Sequence, residues 1–276
     1  MMLAAVRQRR LAMPRVAGRS PVRDGLMLSL LLFIGWVYAG AFVGAGPGDI
    51  GRDIGVCQRA AQAWMQGAPM YPAFETSGSY DLSLFGLVLY PPITTMLFIP
   101  TLLLPLPLWW LIPAAIVGAV VYRLRPSGWW LLALGLCLTY PNSVNLVQAG
   151  NPDMWLVAAL AVAVYWRPAA AFVLLKPSLF PLALIGLRSR GWGAMVAVFA
   201  LASLLLLPQT LDWITVIRNG RGGLRPAGLF YSWQDLPLLA VPLVAWAGSR
   251  TRNSSRRLPE RKAATELARG TLTITR

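Results

Sequence analysis

Apolar runs of fifteen or more residues recur along this chain, and they decide the solvent in which it folds. The first is "GLMLSLLLFIGWVYAGAFVGAG", Gly25 to Gly46. It has no polar face of the kind a surface helix in water shows, and at 1.5 Å per residue it is long enough to cross a hydrocarbon layer. Only 13% of the residues are charged and 57% are hydrophobic, where a soluble domain is nearer 25% charged. A bilayer is therefore the expected solvent. Seven further runs follow: Leu87–Leu104, Leu108–Tyr122, Gly128–Pro141, Met154–Trp166, Pro168–Leu187, Gly193–Pro208 and Leu236–Gly248. The predicted fold class is an all-α polytopic membrane protein of about eight spans. Runs of about fourteen residues cover only about 21 Å as helix against a core of roughly 30 Å, so the fourth and eighth read as half-helices or extend into polar flanks. Counts of six or seven stay open.

The formal net charge is +15, which at first resembles a nucleic-acid footprint. Its placement says otherwise. Arg7, Arg9, Arg10, Arg15, Arg19 and Arg23 precede the first run, and eight Lys or Arg lie from Arg250 to the end. Basic flanks on an apolar centre follow the positive-inside rule and put both termini in the cytoplasm of a multi-pass plasma-membrane protein. Anionic membrane lipids are the expected partner of these flanks, and nucleic acid is not. The expected division is a basic segment 1–24, a membrane domain 25–248 and a basic, disordered tail 249–276. The first run is too long for the apolar part of a cleaved signal peptide. The chain has no histidine, which removes His bases, Ser-His-Asp triads and His metal ligands. Two cysteines, Cys57 and Cys137, are too few for a thiolate metal site, and neither a metal nor a cofactor is expected.

Prolines interrupt the runs at Pro91, Pro92, Pro100, Pro113, Pro177 and Pro181. Each frees backbone groups that lipid cannot satisfy, so the breaks point to a bundle packed around an internal site. Acid is scarce, yet Asp49, Asp53, Glu75 and Asp81 all lie in the first polar loop, Pro47 to Phe85, which is outside if the N-terminus is inside. From Asp53 onward Ile54, Cys57, Ala61, Trp64 and Met65 recur at helical spacing, ended by Gly67. This predicts an amphipathic helix on the outer membrane surface. Two readings of its acids stand. Asp53 or Asp49 caps the helix, or Asp53 is a carboxylate held at the interface as a general base.

The stretch "DIGVCQRAAQAWMQGAPMY", followed by "YPP" at Tyr90–Pro92, "QAGNPD" at Gln148–Asp153 and "LLKPSLFPLAL" at Leu174–Leu184, resembles glycosyltransferase family 87 in order and placement. The likeness runs from about Gly25 to Trp192. It implies a GT-C-like helical bundle and transfer of a hexose, mannose first, from a polyprenyl-phosphate donor to a glycolipid or glycan acceptor at the outer face. It assigns the catalytic base to Asp53, with Asp49 second. The chain is shorter than many members and carries "QAGN" where the pattern has its Gln and Asn differently spaced.

Other residues complete the expected site. Lys176, deep in the sixth run, must face a cavity or a partner. It either contacts the donor's phosphate or pairs with Asp153. Tyr90, Gln148 and Asn151 are candidates for sugar hydroxyls, although amides such as Asn142, Asn145 and Gln148 also serve as interhelical hydrogen bonds. Arg221 and Arg225, in the loop Gln209–Gln234, are candidates for phosphate. A lipid or solute transporter and a non-catalytic membrane subunit are the alternatives, and the absence of an internal repeat counts against the first.

Overall fold

A computed structural model of the chain describes residues 21–251, except 83, 85, 104, 127, 223, 224 and 227–232. Of the basic segments expected at 1–24 and 249–276, residues 1–20 and 252–276 lie outside the described residues, while 21–24 and 249–251 are helical. Those described are mostly helical. Helix α1 (Pro21–Val43) is 23 residues long. Among the described residues, its stretch Gly25–Val43 is the one straight helix long and apolar enough to cross a membrane. Leu28, Leu31, Leu32 and Trp36 all face outward along it.

The amphipathic period after it forms α2 (Arg52–Met65), which buries Ile54, Val56, Cys57, Ala60 and Ala61. Its first residue follows Gly51, whose φ of 70° is left-handed. No side chain caps α2. Instead the Gly51 N–H donates to the Gln148 carbonyl at 3.0 Å and the Asp53 N–H to the Ala149 carbonyl at 2.8 Å. The unsatisfied donors that start α2 thus meet the unsatisfied acceptors that end α7 (Pro141–Gln148), so opposite dipole ends face each other.

The later apolar runs do not map one to one onto long helices. The second run holds α4 (Pro92–Met96) and a separate 3-10 turn, Ile99–Leu102, after the short α3 (Ala73–Ser77) in the loop. Proline lacks an N–H and suits a first helical turn, so Pro92 and Pro100 each begin a new piece. Helix α5 (Leu108–Leu124) carries Pro113 internally. Helices α6 (Trp129–Thr139) and α7 meet at 56°. The sixth run, read as a span, is a 3-10 segment Arg167–Leu175, a break at Lys176, a turn Pro177–Leu179 and α9 (Phe180–Ala183). The seventh becomes α10 (Arg190–Leu205), which bends by 95° into α11 (Leu207–Asn219). The last helix, α12, covers 236–251. Among the described residues, counting each bent pair as one crossing gives up to three spans by length and composition, against eight apolar runs.

The centre of the molecule is α8 (Asp153–Ala163), packed by α5 on one side and by the 3-10 segment on the other. Leu146, Leu156, Val157, Leu160, Val173, Leu175, Leu238 and Leu239 form its core. Ala158, Ala161, Ala170 and Ala171 are buried between them, small enough for the backbones to approach closely. A small sheet joins the first polar loop to the segment after α11. Strand β1 (Tyr80–Asp81) runs parallel to β2 (Gly220–Gly222), which pairs antiparallel with β3 (Arg225–Pro226).

Candidate functional site

The turn from α7 to α8, "AGNPD", carries the site. Gly150 takes a left-handed φ of 67°, and a Cβ there would lie 2.9 Å from Ile54 Cδ1 and 3.1 Å from Trp110 Cζ2. Only glycine lets α2 close onto this turn. Trp109 and Trp110 donate their indole N–H groups to the Gly150 and Val147 carbonyls at 2.8 and 2.6 Å, which locks the turn from the α5 side. These two tryptophans serve the interior, not an interfacial belt.

The turn delivers Asn151 and Asp153 to one place. Asn151 Nδ2 donates to Asp53 Oδ2 at 2.7 Å. Its Oδ1 accepts from the Tyr90 hydroxyl at 3.2 Å and from the Asp153 N–H at 3.0 Å. Asp153, fully buried, receives Lys176 Nζ on both oxygens at 2.9 Å. The same ammonium donates to Asp235 Oδ2 at 2.7 Å. Asp235 Oδ1 in turn accepts from Asn142 Nδ2 at 2.9 Å. The Lys176 ammonium lies 5.8 Å from the Tyr90 ring centre. A polar chain therefore runs from Asp53 through Asn151 to a buried cluster of one cation and two carboxylates. Buried charges persist when they are paired and hydrogen-bonded, as these are.

Two cavities meet at this chain. One, of about 340 Å³, is lined by Arg52, Asp53, Leu82, Asn151, Lys176 and Asp235 among others. The other, of about 490 Å³, is apolar and lined by Phe98, Trp109, Ile112, Trp155, Val162 and Phe172 among others. Tyr90 and Lys176 belong to the walls of both. Lys176 stands there because the backbone breaks at it, at φ −129° and ψ 87°, between the 3-10 segment and Pro177. The irregular stretch 86–90 contributes Gly86, Leu87, Leu89 and Tyr90 to the wall of the polar cavity. Fully buried Glu75 supports it by accepting from the Val88 N–H at 3.1 and 3.3 Å. Burial raises the Glu75 carboxyl to about 7, with the Val88 hydrogen bond opposing.

The sequence-predicted residues divide. Asp53, Asn151, Tyr90 and Lys176 come together. Asp53 does not cap its helix, and its Oδ1 sits 3.4 Å from Arg52 Nε. Of the two expected roles of Lys176, a phosphate contact or a pair with Asp153, the structure contains the pair, and the ammonium is engaged by two carboxylates. Asp49 stands apart, accepting from the Gly46 N–H at 2.8 Å in an exposed turn. Gln148 also points elsewhere, donating to the Ala41 carbonyl of α1 at 3.0 Å. Arg221 Nε lies 3.4 Å from Ser79 Oγ in the small sheet. The side chain of Arg225 lies outside the described residues. Asp235 and Arg52 are site residues that sequence reasoning missed. The first is an acid at the edge of the eighth apolar run and the second is the cation next to Asp53. Among the described residues no group of acids or cysteines is arranged to hold a metal ion.

No family model matches the chain, and neither the curated proteins nor the solved structures give a match.

Proposed function

We propose that the chain is a polytopic membrane glycosyltransferase of the GT-C kind, related to glycosyltransferase family 87. It moves a hexose, mannose first, from a polyprenyl-phosphate donor to a glycolipid or glycan hydroxyl at the outer face of the plasma membrane, with both termini cytoplasmic. One observation carries the reading. The Asp53 carboxylate lines a polar cavity that shares two wall residues, Tyr90 and Lys176, with an apolar cavity. A polar headgroup attached to a hydrocarbon chain needs such a pair of spaces side by side. The order of the motifs around Asp53, Tyr90, Asn151 and Lys176 supports the same assignment.

In the proposed step the acceptor hydroxyl gives its proton to Asp53 Oδ1 while its oxygen bonds to the anomeric carbon of the hexose. The bond from that carbon to the phosphate oxygen breaks, and polyprenyl phosphate leaves with the electron pair, inverting the centre. General-base assistance of this kind contributes roughly a hundred- to ten-thousandfold. Arg52, beside Asp53 in the cavity wall, is the cation placed to meet the leaving phosphate. Lys176 instead pairs with Asp153 and Asp235 in the cavity wall. Membranes containing the protein should transfer labelled mannose from polyprenyl-phosphate mannose and not from a sugar nucleotide. Transfer from the nucleotide alone would contradict the donor class.

A further inference from the structure

We infer that Asn151 is a positioning residue for Asp53, and not a contact to the sugar. The inference rests on the transferase reading for its catalytic meaning but on geometry for the contact itself. Asn151 is buried, 7% exposed. Its amide orientation is fixed by chemistry. The Asp153 N–H, 3.0 Å away, is a backbone group that only donates, so the Asn151 atom facing it is oxygen. The Tyr90 hydroxyl donates to the same oxygen. With both acceptor positions of Oδ1 occupied, Nδ2 is turned toward Asp53 and donates to Oδ2 at 2.7 Å. That is at the short end of the N–H···O range.

The consequence is a division of labour within one carboxylate. Oδ2 is held by Asn151, and Oδ1 lies on the side of Arg52. Asn151 is itself held by the left-handed turn at Gly150, by Tyr90 and by the residue that clamps Lys176. The base is thus tethered through one amide to the buried cluster of Asp153, Lys176 and Asp235. Backbone contacts from Asp53 to Ala149 fix the helix, and Asn151 fixes the rotamer.

A swap of the two residues tests this. Asn151→Asp keeps the volume and both accepted hydrogen bonds but presents an oxygen to Asp53. The expected result is a lower thermal midpoint and a kcat reduced about a hundredfold, as for a misplaced catalytic group, with KM unchanged. The double variant Asp53→Asn/Asn151→Asp restores a donor facing an acceptor. Its midpoint returns toward that of the parent while transfer falls below that of Asn151→Asp, because position 53 no longer carries a carboxylate. A rise in KM with kcat intact in Asn151→Asp would show a sugar contact and overturn the inference. So would a double variant no more stable than Asn151→Asp. If the parent itself shows no transfer while the midpoints behave as expected, the transferase reading falls and the tether stands.

Discussion

At the scale of single residues Lys176 ties two distant carboxylates together. Its ammonium is held at 2.7–2.9 Å by Asp153 and Asp235, and two carboxylates without it would face each other unscreened. Removing one partner of a buried charge pair costs about 3–5 kcal/mol. Lys176→Met should therefore lower the unfolding midpoint sharply in detergent or lipid, and Asp153→Asn added to it should recover part of the loss. A Lys176→Met protein as stable as the parent would contradict a structural role. The sequence made half of this cluster visible. A lysine inside an apolar run demands a partner, and Asp153 was the nearest acid in a neighbouring break. Asp235 was not legible, because it comes from 59 residues away and only folding brings it near. The Asp53–Asn151 contact, across 98 residues, was legible only as two motifs in the right order.

At the scale of elements the breaks matter more than the helices. Periodicity alone placed α2, because one apolar stripe on an otherwise polar segment has a single solution. The sixth run was read as a span since its composition is apolar apart from Lys176 and Ser178, and composition does not distinguish a 3-10 segment from an α-helix. What decides it is proline. Pro168 and Pro177 each sit where a new turn starts, and the break between them leaves Lys176 in the wall of both cavities. Two predictions belong here. Gly150→Ala would force an L-residue into the left-handed region, at about 1–2 kcal/mol, and press its Cβ against Ile54 and Trp110. The midpoint should fall and the α2–α7 junction should exchange its amides faster. The second concerns Glu75, which braces the cavity wall at Val88. Its carboxyl rises from an ordinary 4.5 to about 7 in the fold, so between those values the folded chain holds a proton that the unfolded chain has lost. Stability then falls as pH rises from about 4.5 to about 7 and is level above. Glu75→Gln should flatten that slope in midpoints measured across the window. An unchanged slope would show that another group causes it.

At the scale of the whole molecule, charge and apolar length point to a membrane, while the short, bent helices leave two adjoining cavities between them. The eight runs seen in sequence overcount long helices, because hydropathy counts apolar residues whether they face lipid or a cavity between broken segments. The orientation is open to direct test. On a background lacking Cys57 and Cys137, single cysteines within 1–20 or 252–276 should react with an impermeant maleimide only after the membrane is opened. One at Gln62, exposed on α2, should react in intact cells. The reverse pattern would invert the proposed topology. The central claim is that Asp53 acts as the base in transfer from a lipid-linked sugar, and the most direct measurement is the rate of that transfer with Asp53→Asn. Using labelled polyprenyl-phosphate mannose and a lipid acceptor, the account predicts a loss of about a hundredfold or more with the protein still folded. Transfer by Asp53→Asn at the parent rate would contradict it.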